Sequence, residues 1–155
     1  MYKVKMDGQT LYYPGDKEAV LTNPTLNLQT GYAGTFEFSV PPNNPLYDKI
    51  KNRSSMVSVF RDTTELFYGE VRKQPKVDRY RNKNVYCAGA MSFLADSIQP
   101  QAEYHDMTPR QMLETFLDIH NNQVEDRKKV YLGKVTITDA NDSLYRYTNF
   151  ENTLK

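Results

Sequence analysis

The chain has no tryptophan, a single cysteine and only two histidines in 155 residues. One cysteine, Cys87, excludes an internal disulfide and a cysteine-built zinc cluster. The histidines, His105 and His120, are not spaced as the paired ligands of an H-E-x-x-H helix. Long apolar runs are missing too. Nothing approaches the roughly 20 consecutive apolar residues of a membrane span. The opening MYKVKMDGQTLYY has no apolar stretch of signal-peptide length. Charge of one sign is not in excess: 20 basic against 19 acidic residues leave +1. Strong non-specific binding to nucleic acid needs a basic excess or a basic patch, so only a patch remains available. Phosphate-loop, dinucleotide and nucleophile-elbow patterns are absent.

What the chain has instead is tyrosine, 12 of them beside 7 phenylalanines. Tyrosine suits half-buried positions, with its ring packed and its hydroxyl wet. The length fits one compact domain or two small ones. A hydrophobic content of 39% with 25% charged residues is that of a folded chain.

The first hundred residues read as strands. Asp7-Gly8 is a two-residue hairpin signal between short β-rich runs. Leu26 and Leu28 alternate with Asn27 and Gln29. Phe36, Phe38 and Val40 alternate with Thr35, Glu37 and Ser39, as in a strand with one dry face. The Pro41–Pro45 segment stops the sheet, and one helical turn is expected within 46–51. Strands are predicted at Met56–Phe60 and Leu66–Val71 around a polar turn at 61–64. Gly69 marks a bulge or a close backbone approach. A turn at 80–84 leads to a strand at Val85–Ala90. Six or seven short strands with frequent turns predict a β-barrel or sandwich.

Beyond residue 100 the pattern changes. Thr108-Pro109-Arg110-Gln111 has the chemistry of a capped helix start, and Met112, Leu113, Phe116, Leu117 and His120 follow as an apolar-leaning stripe. Val135 and Ile137 alternate with Thr136 and Thr138, predicting a strand, then a turn at 139–143 and a last strand near Leu144. Asn149–Lys155 reads as the start of a further helix. The expected organisation is therefore a mainly β unit over 1–100 and a small, incomplete α+β unit over 101–155.

Few residues invite chemistry. His105 reads as a solvated loop residue and His120 as a helix-flank residue. Asp139, Asn141 and Asp142 resemble part of a calcium loop, but Leu144 and Phe150 stand where its Gly and Glu belong, which leaves a turn. Glu65 and Glu70 could form a glycosidase pair, but are most simply on the wet face of a strand. Cys87 in an apolar strand reads as buried filler. The basic stretch Arg72, Lys73, Lys76, Arg79, Arg81 and Lys83, with Tyr80 among them, is a nucleic-acid platform, a solvated hairpin, or a contact for an acidic neighbouring subunit. Residue spacing alone yields no catalytic, cofactor or metal site.

In order, several segments resemble the N-terminal region of phage minor structural proteins, the prophage endopeptidase tail family of baseplate hubs. They are Gly34–Pro41 with Asn44–Ile50, the strand Leu66–Val71 with its F-x-G-x-V pattern, Cys87–Ser97, the Asn121–Val124 segment, and Leu132–Asp139. The resemblance implies a tail-tube-like β-barrel with a short helix. It implies a trimeric ring of copies that closes and extends the tail tube at the virion's tail tip. Partners would be distal tail and tape-measure proteins, with DNA passing through unbound. The protein would be made in the host cytoplasm without a signal peptide. Any endopeptidase or host-wall activity would belong to downstream domains, so the resemblance brings no catalytic residue, cofactor or metal to this chain. Two other readings stand beside it: a carbohydrate- or single-stranded nucleic-acid-binding β-module, and a cell-wall hydrolase.

Overall fold

Asp7 and Gly8 both take left-handed backbone, with φ of 48° and 80°, as a type I′ hairpin turn requires. They join β1 (Tyr2–Met6) to β2 (Gln9–Tyr12) in antiparallel pairing. The computed structural model describes residues 1–154, and the chain divides into two units, Met1–Ala90 and one that begins at Met91. The first is mainly β. It continues through β3 (Thr22–Asn27), β4 (Thr35–Val40), β5 (Met56–Arg61), β6 (Thr64–Val71), β7 (Lys76–Val77) and β8 (Lys83–Gly89).

Every pairing is antiparallel, and the strand order is β2-β1-β5-β6-β8-β4-β3, with β7 beside β8. The sheet curls into a half-barrel whose ends, β2 and β3, do not pair with one another. Its concave face is the core. Val4, Met6, Leu11, Phe36, Phe38, Val40, Val57, Val59, Phe67, Val71, Val85 and Cys87 form one buried cluster drawn from six strands. The dry face of residues 35–40 is as expected, with Phe36, Phe38 and Val40 buried; on the other face Glu37 is exposed, but Ser39 is buried and donates to Asn84 Oδ1 at 2.6 Å. Each such side chain contributes about 1.5–3 kcal/mol by leaving water. The predicted helical turn is a 3-10 turn at Tyr47–Lys49.

Close approach of strands explains two glycines. A Cβ on Gly69 would strike the Ala88 carbonyl oxygen, and one on Gly89 would strike the Ala33 carbonyl oxygen. Gly89 N–H donates to Gly34 O at 3.1 Å. The backbone of β8 is thereby held against its neighbours with no room for a side chain.

At the free end of β2, Asn44 is 3% exposed and acts as a clip. Its Nδ2 donates to Leu11 O at 2.9 Å and to Val20 O at 3.0 Å, and its Oδ1 accepts from Leu46 N–H at 3.0 Å. A single buried amide thus satisfies three backbone groups, as burial requires.

The second unit carries a 3-10 segment (Ala90–Asp96, its first residue still in the first unit), β9 (Ala102–Met107), α1 (Pro109–Asn121) and β10 (Leu144–Thr148). Thr108 caps α1 in a full capping box: Gln111 N–H donates to Thr108 Oγ1 at 3.1 Å, and Thr108 N–H donates to Gln111 Oε1 at 2.9 Å. β10 pairs with β9, and Tyr104 on β9 packs edge-on against Phe116 of α1 with centroids 5.5 Å apart.

Residues 91–100 group with the second unit, which begins at Met91. Several expectations are corrected. Residues 135–138 form no strand, and Ile137 is 74% exposed. Their alternation offers two faces, but they pair with no strand among the described residues; β10 pairs instead with β9, a segment that reads as a loop in the sequence. The segment after Asn149 does not start a helix within the described residues. It runs extended against 97–99, where Gln99 N–H donates to Glu151 O at 2.8 Å and Ile98 bridges Asn152. Lys155 lies outside the described residues.

Candidate functional site

The basic stretch expected to offer a binding surface is largely consumed by local contacts. Arg72 Nε stands 3.1 Å from Glu70 Oε2. Lys73 Nζ sits 4.0 Å above the Tyr86 ring centroid, and Arg79 lies 4.7 Å over Tyr80. Lys83 Nζ donates to Tyr47 O at 2.7 Å and to Asp48 at 3.2 Å. The turn itself is fixed by Asp78, whose Oδ1 accepts from Tyr80 N–H and Asn82 N–H at 2.8 and 2.9 Å. The bond from the Asn82 side chain, and then those backbone bonds, hold the Asp78 carboxyl below its usual range.

Glu70 is not on a wet face. It is fully buried, whereas Glu65 is exposed. Five positions apart on one strand, the two are not brought together as a carboxylate pair. Cys87 is buried in the core cluster, and burial pushes its thiol pKa up, away from reactivity. In the 139–143 turn, Asp139 Oδ2 accepts from Ser143 N–H at 3.0 Å. Among the described residues no three His, Cys, Asp or Glu side chains gather as a metal site.

His105 is exposed, 3.3 Å from Glu103 and against the Tyr145 ring. His120, expected on a helix flank, is instead completely buried. Its Nε2 lies 3.1 Å from Lys128 O and its Nδ1 2.7 Å from Ser97 Oγ. A carbonyl can only accept, so Nε2 carries the proton and Nδ1 accepts from the serine. The pair has the wiring of a serine–histidine dyad. Ser97, however, is 1% exposed and also bonds Thr153 Oγ1 at 2.6 Å. No substrate reaches it, and the arrangement is a buried polar clasp.

Two of the concavities on the first unit bear on function. One is a shallow polar cleft of about 370 Å³ lined by Asn23, Glu37, Ser39, Lys73, Asn84 and Tyr86, among others. The other is a groove of about 620 Å³ between the two ends of the half-barrel. Tyr2, Tyr12, Leu21, Leu26, Leu28 and Leu66 line it, and no charged side chain does. Continuous with it, the β3–β4 hairpin tip exposes Leu28 at 55% and Tyr32 at 67%. The sequence carries a signal for this surface that periodicity does not reveal. A quarter of all residues are charged, yet the eighteen from Ala19 to Phe36 contain none.

At the level of sequence, neither the protein-family profiles nor the curated proteins give a match. In three dimensions the chain is similar to a tail protein from Neisseria meningitidis MC58. The TM-score is 0.55 at 13% identity, over 76% of this chain and 33% of that one. A looser likeness, TM-score 0.47 at 16% identity, is to the 43 kDa tail protein of prophage MuSo2 from Shewanella oneidensis, over 78% of this chain and 37% of that one. The chain spans about a third of the length of these solved structures. What the first likeness establishes is a shared fold.

Proposed function

We propose that this chain is a structural component of a phage or prophage tail, working at the tail tip as part of a baseplate hub. The observation that carries the reading is the fold shared with the Neisseria tail protein across three quarters of the chain. In this role copies of the chain form a ring, a trimer in the assembled protein, that closes and extends the tail tube. The ring abuts distal tail and tape-measure proteins and lets DNA pass without holding it. A net charge of +1 suits a lumen that does not trap a polyanion.

The chain itself performs no catalysis in this reading. Its nucleophile candidates support that: Cys87 is buried with a raised pKa, and Ser97 is sealed beneath Thr153. Any host-wall chemistry belongs to other domains of the assembly. The alternative of a carbohydrate- or single-stranded nucleic-acid-binding module rests on the polar cleft. There Lys73 already occupies one face of Tyr86, the ring on which a base or sugar would stack.

Immunogold electron microscopy tests the proposal. Antibody to this chain is applied to particles released by prophage induction. Gold at the distal ends of tails is the expected result. Intact, unlabelled tails with the antigen elsewhere would sink the tail reading and send attention to glycan and oligonucleotide arrays.

A further inference from the structure

The two-stranded sheet of the second unit has one face packed and one face bare. Successive side chains of a strand alternate between faces. Tyr104 takes the inner face and packs on Phe116 of α1. The outer face carries Glu103 and His105 from β9 and Tyr145 and Tyr147 from β10, all four exposed. They form one connected row. Tyr147 stands directly opposite Glu103, and its hydroxyl accepts from Gln101 Nε2 at 3.1 Å. His105 Nε2 lies 3.3 Å from Glu103 Oε2, and the His105 and Tyr145 rings are 4.8 Å apart. A bulge builds the upper end of the row. His105 and Asp106 together oppose Tyr145, and Asp106 takes left-handed backbone with φ 51°. Such a bulge re-aims the side chains beside it, here setting the imidazole against the tyrosine ring. Neither strand adds a cation to this face. Arg146, the one lysine or arginine of the two strands, alternates to the other side and pairs with Glu151 at 2.8 Å.

We infer that this face is a binding platform for a neutral sugar chain. Two tyrosine rings on alternate positions of one strand, about 6.8 Å apart along it, offer flat apolar surfaces for the C–H faces of sugar rings. Around them stand the groups that hydroxyls need. The Glu103 carboxylate accepts, the Gln101 amide donates and accepts, and the tyrosine hydroxyls do both. Other occupants fit less well. Single-stranded nucleic acid stacks on such rings but brings a phosphate with each base. Those phosphates would meet Glu103 and Asp106 with no cation to receive them, on a unit whose residues 91–155 hold seven basic against ten acidic side chains. Acidic glycans fail on the same ground. An apolar peptide would strip water from the Glu103–His105 pair and return no hydrogen bond, whereas sugar hydroxyls replace that water. The platform is separate from the polar cleft of the first unit and needs neither Lys73 nor Tyr86.

Amide and tyrosine-ring NMR of the full chain provides the test. Short oligosaccharides of glucose, galactose, rhamnose and N-acetylglucosamine are titrated in separately, with oligothymidylate, oligogalacturonate and oligolysine as charged comparators. At least one neutral sugar should shift the Ala102–Met107 and Leu144–Thr148 amides and the Tyr145 and Tyr147 rings, with affinity of roughly millimolar order. Tyr145→Ala and Tyr147→Ala should each weaken that binding about tenfold, and Tyr145→Phe should keep most of it. Tyr32→Ala, at an exposed position of the first unit, should leave it unchanged. Amide spectra matching wild type away from β9 and β10 show that the variants fold. Three results overturn the inference. One is no neutral sugar shifting this face, another is shifts that survive both alanine substitutions. The third is a charged comparator that binds here more tightly than every sugar.

Discussion

Ser97 Oγ lies 2.7 Å from His120 Nδ1, with both residues buried, in a histidine whose other nitrogen is fixed on Lys128 O. The relationship joins the end of the 3-10 segment to the last turn of α1, twenty-three residues on, and through it to Lys128, eight residues further. Gln99 extends the join, its Nε2 donating to Phe116 O at 3.1 Å and to Thr153 Oγ1 at 2.7 Å. In a unit with a two-stranded sheet and one helix, this polar network takes over part of the work an apolar core would do.

Removing it should be costly. His120→Ala leaves a cavity and takes a hydrogen-bond partner from the Ser97 hydroxyl and from the Lys128 carbonyl, and should destabilise the second unit by roughly 2–4 kcal/mol. Ser97→Ala should cost about 1 kcal/mol. Urea denaturation followed by circular dichroism reads both. If His120→Ala were neutral, the clasp would have no structural role and the dyad geometry would need another explanation.

Gly89→Ala is expected to be among the most damaging single changes in the first unit. The added methyl meets the Ala33 carbonyl oxygen, and backbone cannot yield as a side-chain tip can. A loss of about 3 kcal/mol or more is expected, measured as a lower urea midpoint. Gly133→Ala, where nothing stands within 4 Å of the added methyl, is the matched control and should change little.

Thr108→Ala breaks one arm of the capping box and Gln111→Ala the other. Each should lower stability by about 1 kcal/mol, and the double variant by less than the sum of the two. Thermal melts of the two single variants and the double variant give the coupling directly.

Acid should loosen the molecule in a defined window. Asp16, Asp78 and Asp126 are held below the usual aspartate range, chiefly by Glu18 N–H, by the Asn82 side chain and by the Lys129 ammonium respectively. A carboxyl whose folded pKa is depressed contributes stability above its unfolded pKa and loses it as pH falls through the folded value. Urea midpoints should therefore hold steady from pH 7 to 5 and fall below about pH 4. Asp78→Asn should reduce that fall. A midpoint that dropped between pH 7 and 5 instead would overturn this account.

How much of this was legible in advance follows from the range of each interaction. The Asp7-Gly8 turn, the Phe36–Val40 alternation and the Thr108 box rest on neighbours within a few residues, and the sequence displays all three. β9 was hidden because its partner β10 begins thirty-seven residues after β9 ends, and nothing local marks Ala102–Met107 as a strand. Glu70 and His120 misled for the same reason: a charged or polar residue reads as wet unless its distant partners are known. The uncharged run from Ala19 to Phe36 was visible in the letters. It gains meaning only once topology places β3 at an open edge.

The lone cysteine also has a practical consequence. Cys87 is the one thiol in the chain, lies in the core of the first unit, and has no counterpart in the second. A thiol reagent added to the native protein can therefore react only when that half-barrel opens. The rate of modification becomes a clock for the opening of the first unit, where the thiol lies. A solvent-facing cysteine introduced elsewhere could carry a dye without first removing the natural one.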